Sequence, residues 1–125
     1  MKTIISTDKA PAAIGPYSQA ILVGNTLYIS GQIPIDPATG AFASENIEAQ
    51  TRQSLDNIGA ILAKAGFGFE DVVKTTVMLA NIDDFAAMNG VYSEYFTTNP
   101  PARSAFAVKA LPRGVLVEIE AVAAR

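Results

Sequence analysis

The 125-residue chain contains no cysteine and no histidine. Without a thiol or an imidazole it has no cysteine nucleophile, no Ser-His-Asp triad, no disulfide and no ordinary zinc site. Carboxylates, arginine, lysine, tyrosine, hydroxyls and backbone groups are left to carry any chemistry. The missing cysteine does not fix a redox compartment, because reducing and oxidising environments both hold cysteine-free proteins.

Charge is scarce too. Only 17% of residues are charged and half are hydrophobic, which leaves little charge to coat a monomer's surface. That composition fits either a well-filled monomeric core or an apolar surface buried on another subunit. The net charge is −3, with no run of lysine or arginine able to neutralise successive phosphates, so nucleic acid is not an expected partner. Residues Met1 to Lys9 lack the apolar stretch of a signal peptide, and no later segment approaches the roughly 20 apolar residues of a membrane span. The expectation is a cytoplasmic protein with no membrane partner. The length suits one domain, residues 1–125.

Glycine, proline and asparagine punctuate the chain into a mixed α and β pattern. A first strand is predicted at Lys2–Ile5, then a Pro/Gly-rich loop from Ala10 to Tyr17. Apolar runs at Ala20–Val23 and Thr26–Ser30 flank Gly24-Asn25, a dipeptide suited to a tight hairpin turn. Ile35–Gly40 reads as a turn. Ser44 is the predicted N-cap of a helix reaching about Ala65, with Ile47, Leu55, Ile58, Ile61, Leu62 and Ala65 forming its apolar stripe. Gly66 then ends it; Gly66-Phe67-Gly68 is a helix stop and not a phosphate loop, since neither GxGxxG nor GxxxxGK occurs. Val72–Leu79 is β-branched and reads as a strand, and Asn81–Asp84 cap a second helix reaching about Phe96. After Asn99-Pro100-Pro101, strands at Ala102–Val108 and Val115–Ala123 join through Pro112-Arg113-Gly114. The pattern predicts an α+β fold: a mixed, largely antiparallel sheet with hairpins at both ends and two helices packed on one face. The other face needs a cover, and a partner subunit is the simplest one.

Arg103 and Glu118 stand one in each of the last two strands, nearly symmetric about the turn. If those strands form a hairpin the two side chains meet across it, and a one-residue slip puts them on opposite faces. An ordinary cross-strand salt bridge is the plain reading. The chemical reading is sharper: a guanidinium matches a substrate carboxylate, while a glutamate holds and polarises a water. Tyr17 lies in an apolar loop, where a packed aromatic is the commoner explanation. Gly31, within Ser30-Gly31-Gln32, suits either close approach to a ligand or a β-bulge. Asn89, followed by Gly90, weakens the second helix, for which capping or packing is an adequate cause.

Five segments in order carry a family resemblance: Ala10-Pro11 with Ile14–Ala20; Ile29-Ser30-Gly31-Gln32-Ile33-Pro34; Gln53–Asn57; Val73–Val77; and Pro101-Ala102-Arg103-Ser104 continuing through Leu111-Pro112 to Val117–Ala121. Each is weak alone. Together they make the chain resemble the reactive-intermediate (enamine/imine) deaminases, the RidA or YjgF type, over essentially its whole length. The resemblance implies a chorismate-mutase-like α+β fold and a homotrimer with active clefts between subunits. It implies hydrolysis of 2-aminoacrylate and related enamines or imines to 2-oxo acids and ammonia, with no metal and no cofactor. On this chain Arg103 would clamp the substrate carboxylate and Glu118 would hold the water and shuttle its proton. Tyr17, Ser30 and Asn89 would complete the pocket, with backbone groups at Gly31 and Ala105 orienting the substrate. Ala105 departs from the cysteine common there, which implies that thiol-dependent regulation is absent and activity retained. Two other readings stand beside it: a non-catalytic trimer binding small carboxylates or proteins in the same clefts, and a ribonuclease or translation inhibitor, which the acidic charge disfavours.

Overall fold

In Val117–Ala121 apolar and polar residues alternate, and burial keeps that period of two to the end of the strand: Val117, Ile119, Ala121 and Ala123 are buried, whereas Glu118 and Glu120 point the other way. The computed structural model describes all residues, Met1 to Arg125. Its strands are β1 (Lys2–Ile5), β2 (Ala20–Val23), β3 (Thr26–Gln32), β4 (Val72–Leu79), β5 (Ala102–Ala107) and β6 (Val117–Ala124); its helices are α1 (Ile47–Ala65) and α2 (Phe85–Tyr95). The six strands form one sheet in the order β1-β2-β3-β6-β4-β5, antiparallel throughout except for β4 with β5.

The predicted first hairpin forms in the expected register, with Val23 opposite Thr26. Gly24 alone of the turn pair has a positive φ, 57°, the pattern of a II′ turn with glycine first. The predicted second hairpin does not form. β5 and β6 each pair with β4, one parallel and the other antiparallel, so β4 lies between them. The reason lies in burial: β6 presents four fully buried side chains to α1 and is taken into the middle of the sheet, while β5, exposed along much of its length, is left at the edge.

Chain direction follows from this order. β3, α1 and β4 form one crossover, with β6 inserted between its two strands, and β4, α2 and β5 form the next. Two successive crossovers of one hand along one sheet put both helices on the same face. The core lies between that face and the helices, with Leu27, Leu55, Ile58, Ile61, Leu79, Met88 and Ile119 fully buried. All six residues of the predicted α1 stripe face it or its margin, Ala65 being half-buried. The α1 cap is Asn46, whose Oδ1 accepts from the Ala49 N–H at 2.7 Å; the expected cap, Ser44, instead accepts from the Asn46 N–H. Gly66 ends α1 at φ 82°, as its sequence suggests. Asn81 caps a single 3₁₀ turn, Ile82–Asp84, that leads into α2. No helix is long and apolar enough to cross a membrane.

Candidate functional site

Register fixes the relation between Arg103 and Glu118. Arg103 pairs with Thr75 of β4, and Thr75 pairs with Ala121 of β6, on the helix-covered side. Glu118 pairs with Met78, one of the residues that point to the open side. The two candidate side chains therefore occupy opposite faces of the sheet, and the cross-strand salt bridge is ruled out. The protein's one salt bridge is on the surface, between Arg52 and Glu94.

Behind the sheet, α2 builds a seat for Arg103. The guanidinium lies 4.7 Å from the ring centre of Tyr92 and 5.4 Å from that of Phe85, and Nη1 donates to Asn89 Oδ1 at 2.6 Å. Asn89 and Tyr92 are three residues apart and share a helix face, so one side of α2 orients the arginine. Tyr92 is fixed in turn by a 2.7 Å hydrogen bond to Thr75 Oγ1, and its burial pushes the phenol pKa up, opposed by Thr75 and by the positive charge of Arg103. Arg103 is half-buried and uses one of its five N–H donors, which leaves a fork free for a planar anion. Ala105, two residues on, faces the same side of β5.

On the open face a cavity of about 890 Å³ is lined by Glu118, Glu120, Gly31, Ser30, Tyr17 and Arg113, with Ile33 and Ile35 among its apolar walls. Between Ile29 and Gln32 the β3 register slips by one residue against β6, so Gly31 sits in a β-bulge. It is also a close approach, because a Cβ there would overlap the Glu118 carboxylate and stand 2.9 Å from its Cδ. The β-bulge reading of this glycine holds, and the space a Cβ would need is taken by Glu118. Glu118 is half-buried and has no hydrogen-bond partner; burial, and then the negative charge of Glu120, push its carboxyl above the ordinary value of 4.5. A carboxylate so placed accepts a proton more readily than a solvated one, which suits proton transfer near neutrality.

Ala10 is buried in the core, but Tyr17 is 51% exposed and Ile14 85%, so beyond its first residues the Pro/Gly-rich loop displays apolar side chains at the cavity rim. Two polar anchors hold it. The Ser30 hydroxyl donates to the Ser18 carbonyl at 2.6 Å, and Gln19, almost wholly buried, accepts from the Thr7 N–H and donates to the carbonyls of Thr7, Ala10 and Pro11. Sequence reasoning missed Gln19, Glu120, Arg113, Phe85 and Tyr92. A glutamine directly ahead of an apolar strand, a second glutamate two residues from Glu118, and an aromatic three residues from Asn89 were the available signals. No group of three or more Asp or Glu side chains gathers as a metal site would require.

Fold and site together define a small α+β protein with its charged groups on two separate walls, an acid on the open sheet face and a cation behind the sheet edge. Residues 7–125 match the family model described as endoribonuclease L-PSP. The human 2-iminobutanoate/2-iminopropanoate deaminase is 54% identical over 123 residues, covering 98% of this chain and 90% of that one. The YjgF gene product of E. coli superposes with a TM-score of 0.94 at 48% identity, and E. coli TdcF, solved with bound serine, with 0.95 at 42%; each covers 98% of both chains. The chain belongs to this family, the one that includes the RidA and YjgF proteins. Its α+β architecture is the YjgF fold.

Proposed function

We propose that the protein is an enzyme, a 2-iminobutanoate/2-iminopropanoate deaminase that hydrolyses reactive enamines and imines such as 2-aminoacrylate to 2-oxo acids and ammonia. The observation that carries this reading is the near-full-length identity to proteins bearing that name, 54% for the human one. The two walls support it. A half-buried guanidinium with a free fork is a seat for a carboxylate, and a half-buried carboxylate of raised pKa is a seat for a water and a proton.

The roles follow from the chemistry. Arg103 clamps the substrate carboxylate, with Asn89, Phe85 and Tyr92 orienting it. Glu118 takes a proton as its water attacks the imine carbon; the carbon–oxygen bond forms and the C=N electrons move to nitrogen. The proton then passes to that nitrogen and gives a carbinolamine; its hydroxyl proton moves by way of Glu118 to the same nitrogen, and as the carbon–oxygen double bond forms the carbon–nitrogen bond breaks and ammonia leaves a 2-oxo acid. Water supplies the oxygen, so the balance requires no redox partner or cofactor. Tyr17, Ser30 and Gly31 shape the Glu118 wall, and the backbone at Ala105 lies on the Arg103 wall.

Because the walls lie on opposite faces, a productive cleft takes Arg103, Asn89 and Ala105 from one copy and Glu118, Gly31, Ser30 and Tyr17 from another. We therefore propose a homotrimer in which neighbouring open sheet faces cover one another, burying exposed Tyr28, Val73 and Phe106. A detoxifying role in the cytoplasm, on a small carboxylate and without nucleic acid or membrane, belongs to the same proposal, as does operation as a single domain over residues 1–125. That the similar TdcF was solved with serine, a small amino acid, agrees with a cleft for small carboxylates.

The deciding assay measures pyruvate and ammonia release from 2-aminoacrylate generated in situ by a serine dehydratase. Wild type accelerates release, and Arg103→Ala and Glu118→Gln each lower the rate by about 10² to 10⁴ with oligomer mass unchanged. Unaccelerated release by the wild type would leave a small-carboxylate-binding protein instead. RNA cleavage that persists in Arg103→Ala would belong to a contaminant or another site.

A further inference from the structure

Arg113 is the one cation lining the cavity that holds Glu118 and Glu120. It is exposed and takes part in no salt bridge, and its guanidinium lies 4.9 Å from the ring centre of Phe42. The loop carrying Phe42 also contributes Ile35, Pro37 and Gly40 to the cavity, so the stack holds the positive charge at the rim.

The backbone there is unusual. Arg113 has φ 59° and ψ 17°, Gly114 follows at φ 69°, and the Val115 N–H donates to the Pro112 carbonyl at 3.4 Å. Two consecutive left-handed residues inside such a bond make a I′ turn, whose first central position favours asparagine, aspartate or glycine. An arginine with a Cβ is strained at that position, so turn formation does not account for it. Its side chain supplies what the turn does not need.

Electrostatics indicates what that is. A carboxylate-bearing substrate approaching this wall meets two glutamates, and Arg103 stands on the other face of the sheet, unable to offset them within the same copy. In a cleft with low-dielectric walls one cation at the mouth changes the local concentration of an anion by an order of magnitude. We propose that Arg113 is a specificity-determining residue of the deaminase, an entry cation that draws carboxylate-bearing substrates past Glu118 and Glu120. It contributes to capture and not to the bond-making step. The inference rests on the proposed function for its substrate, and on the cavity alone for its charge logic.

The test compares Arg113→Gly, Arg113→Gln and Arg113→Lys in two measurements. The first is kcat and KM for 2-iminobutanoate generated by a threonine dehydratase, across a series of salt concentrations. The second is calorimetric Kd for 2-oxobutanoate and for its uncharged amide. The glycine and glutamine variants are expected to lower kcat/KM about tenfold through KM, to leave kcat unchanged, and to flatten the salt dependence. They weaken 2-oxobutanoate binding by a like factor and leave the amide unaffected; lysine retains wild-type behaviour. Arg113→Gly keeps or raises Tm, because glycine suits the left-handed backbone, which separates charge from folding. Wild-type kcat/KM and salt slope in the glycine and glutamine variants would overturn the proposal, as would equal weakening for acid and amide. A wild type that binds 2-oxobutanoate yet releases no ammonia would defeat the deaminase reading instead, and the Kd comparison would still decide the role of Arg113.

Discussion

Gly31 carries two demands at one residue. The β-bulge could tolerate a side chain, but the Glu118 carboxylate occupies the space where a Cβ would stand. Gly31→Ala is expected to displace that carboxylate and lower kcat about a hundredfold, the scale of a misplacement near 1 Å. A crystal structure of the variant should show Glu118 moved, and unchanged kcat would contradict the close approach. Glu118 itself carries a pH signature. Its pKa is raised in the fold by burial and by Glu120, so folding penalises its ionised form relative to the unfolded chain. The stability this contributes is fully present below the unfolded value near 4.5 and is lost as pH rises through the raised folded value. Glu118→Gln should therefore raise Tm at neutral pH, with the gain fading towards acid. The clean background is Arg103→Ala, where no partner guanidinium opposes the shift. Equal melting temperatures at pH 7 would argue against a desolvated carboxylate.

At the scale of elements, helix ends followed local chemistry that sequence reading only partly resolves. Ser44 and Asn46 are both good caps by residue type, and the choice between them depends on which can reach the N–H three positions on. Asn46 does, at Ala49, while Ser44 closes a smaller turn on the Asn46 N–H. Asn46→Ala should cost about 1 kcal/mol of unfolding free energy and Ser44→Ala clearly less, by urea denaturation. The reverse order would place the cap where the sequence first suggested it. α2 has a different task. Its apolar and polar positions at Phe85, Asn89 and Tyr92 serve Arg103 on the neighbouring strand, so the Asn89-Gly90 pair that weakens the helix also provides the acceptor that orients the guanidinium.

The whole molecule is where the two walls must be joined. A single copy cannot bring Arg103 to Glu118 through the sheet, so activity should depend on assembly. Arg103→Ala and Glu118→Gln, each nearly inactive, are expected to regain activity when mixed after subunit exchange. A mixed trimer contains clefts with both wild-type residues and clefts with neither. Statistical mixing restores on the order of a quarter of wild-type activity. Complete silence of the exchanged mixture, with mixed trimers verified by native mass spectrometry, would put both residues of a cleft on one chain.

The sequence by itself determined the element types, the first hairpin, the α1 stripe, the Gly66 stop and the α+β class, because each depends on periodicity or on a residue's own backbone preference within a few positions. The resemblance added the family and the residues to watch. What only the tertiary structure decided is the pairing of the last strands. Whether β6 joins β5 or slides between β3 and β4 depends on the competition among strands for the buried centre of the sheet, a long-range energy that no local pattern contains. That choice sends Arg103 and Glu118 to opposite faces and turns an apparent ion pair into two half-sites. Arg113 was hidden for the same reason: its stacking partner Phe42 and the cavity residues Tyr17 and Gly31 are distant in the chain, and only folding brings them together.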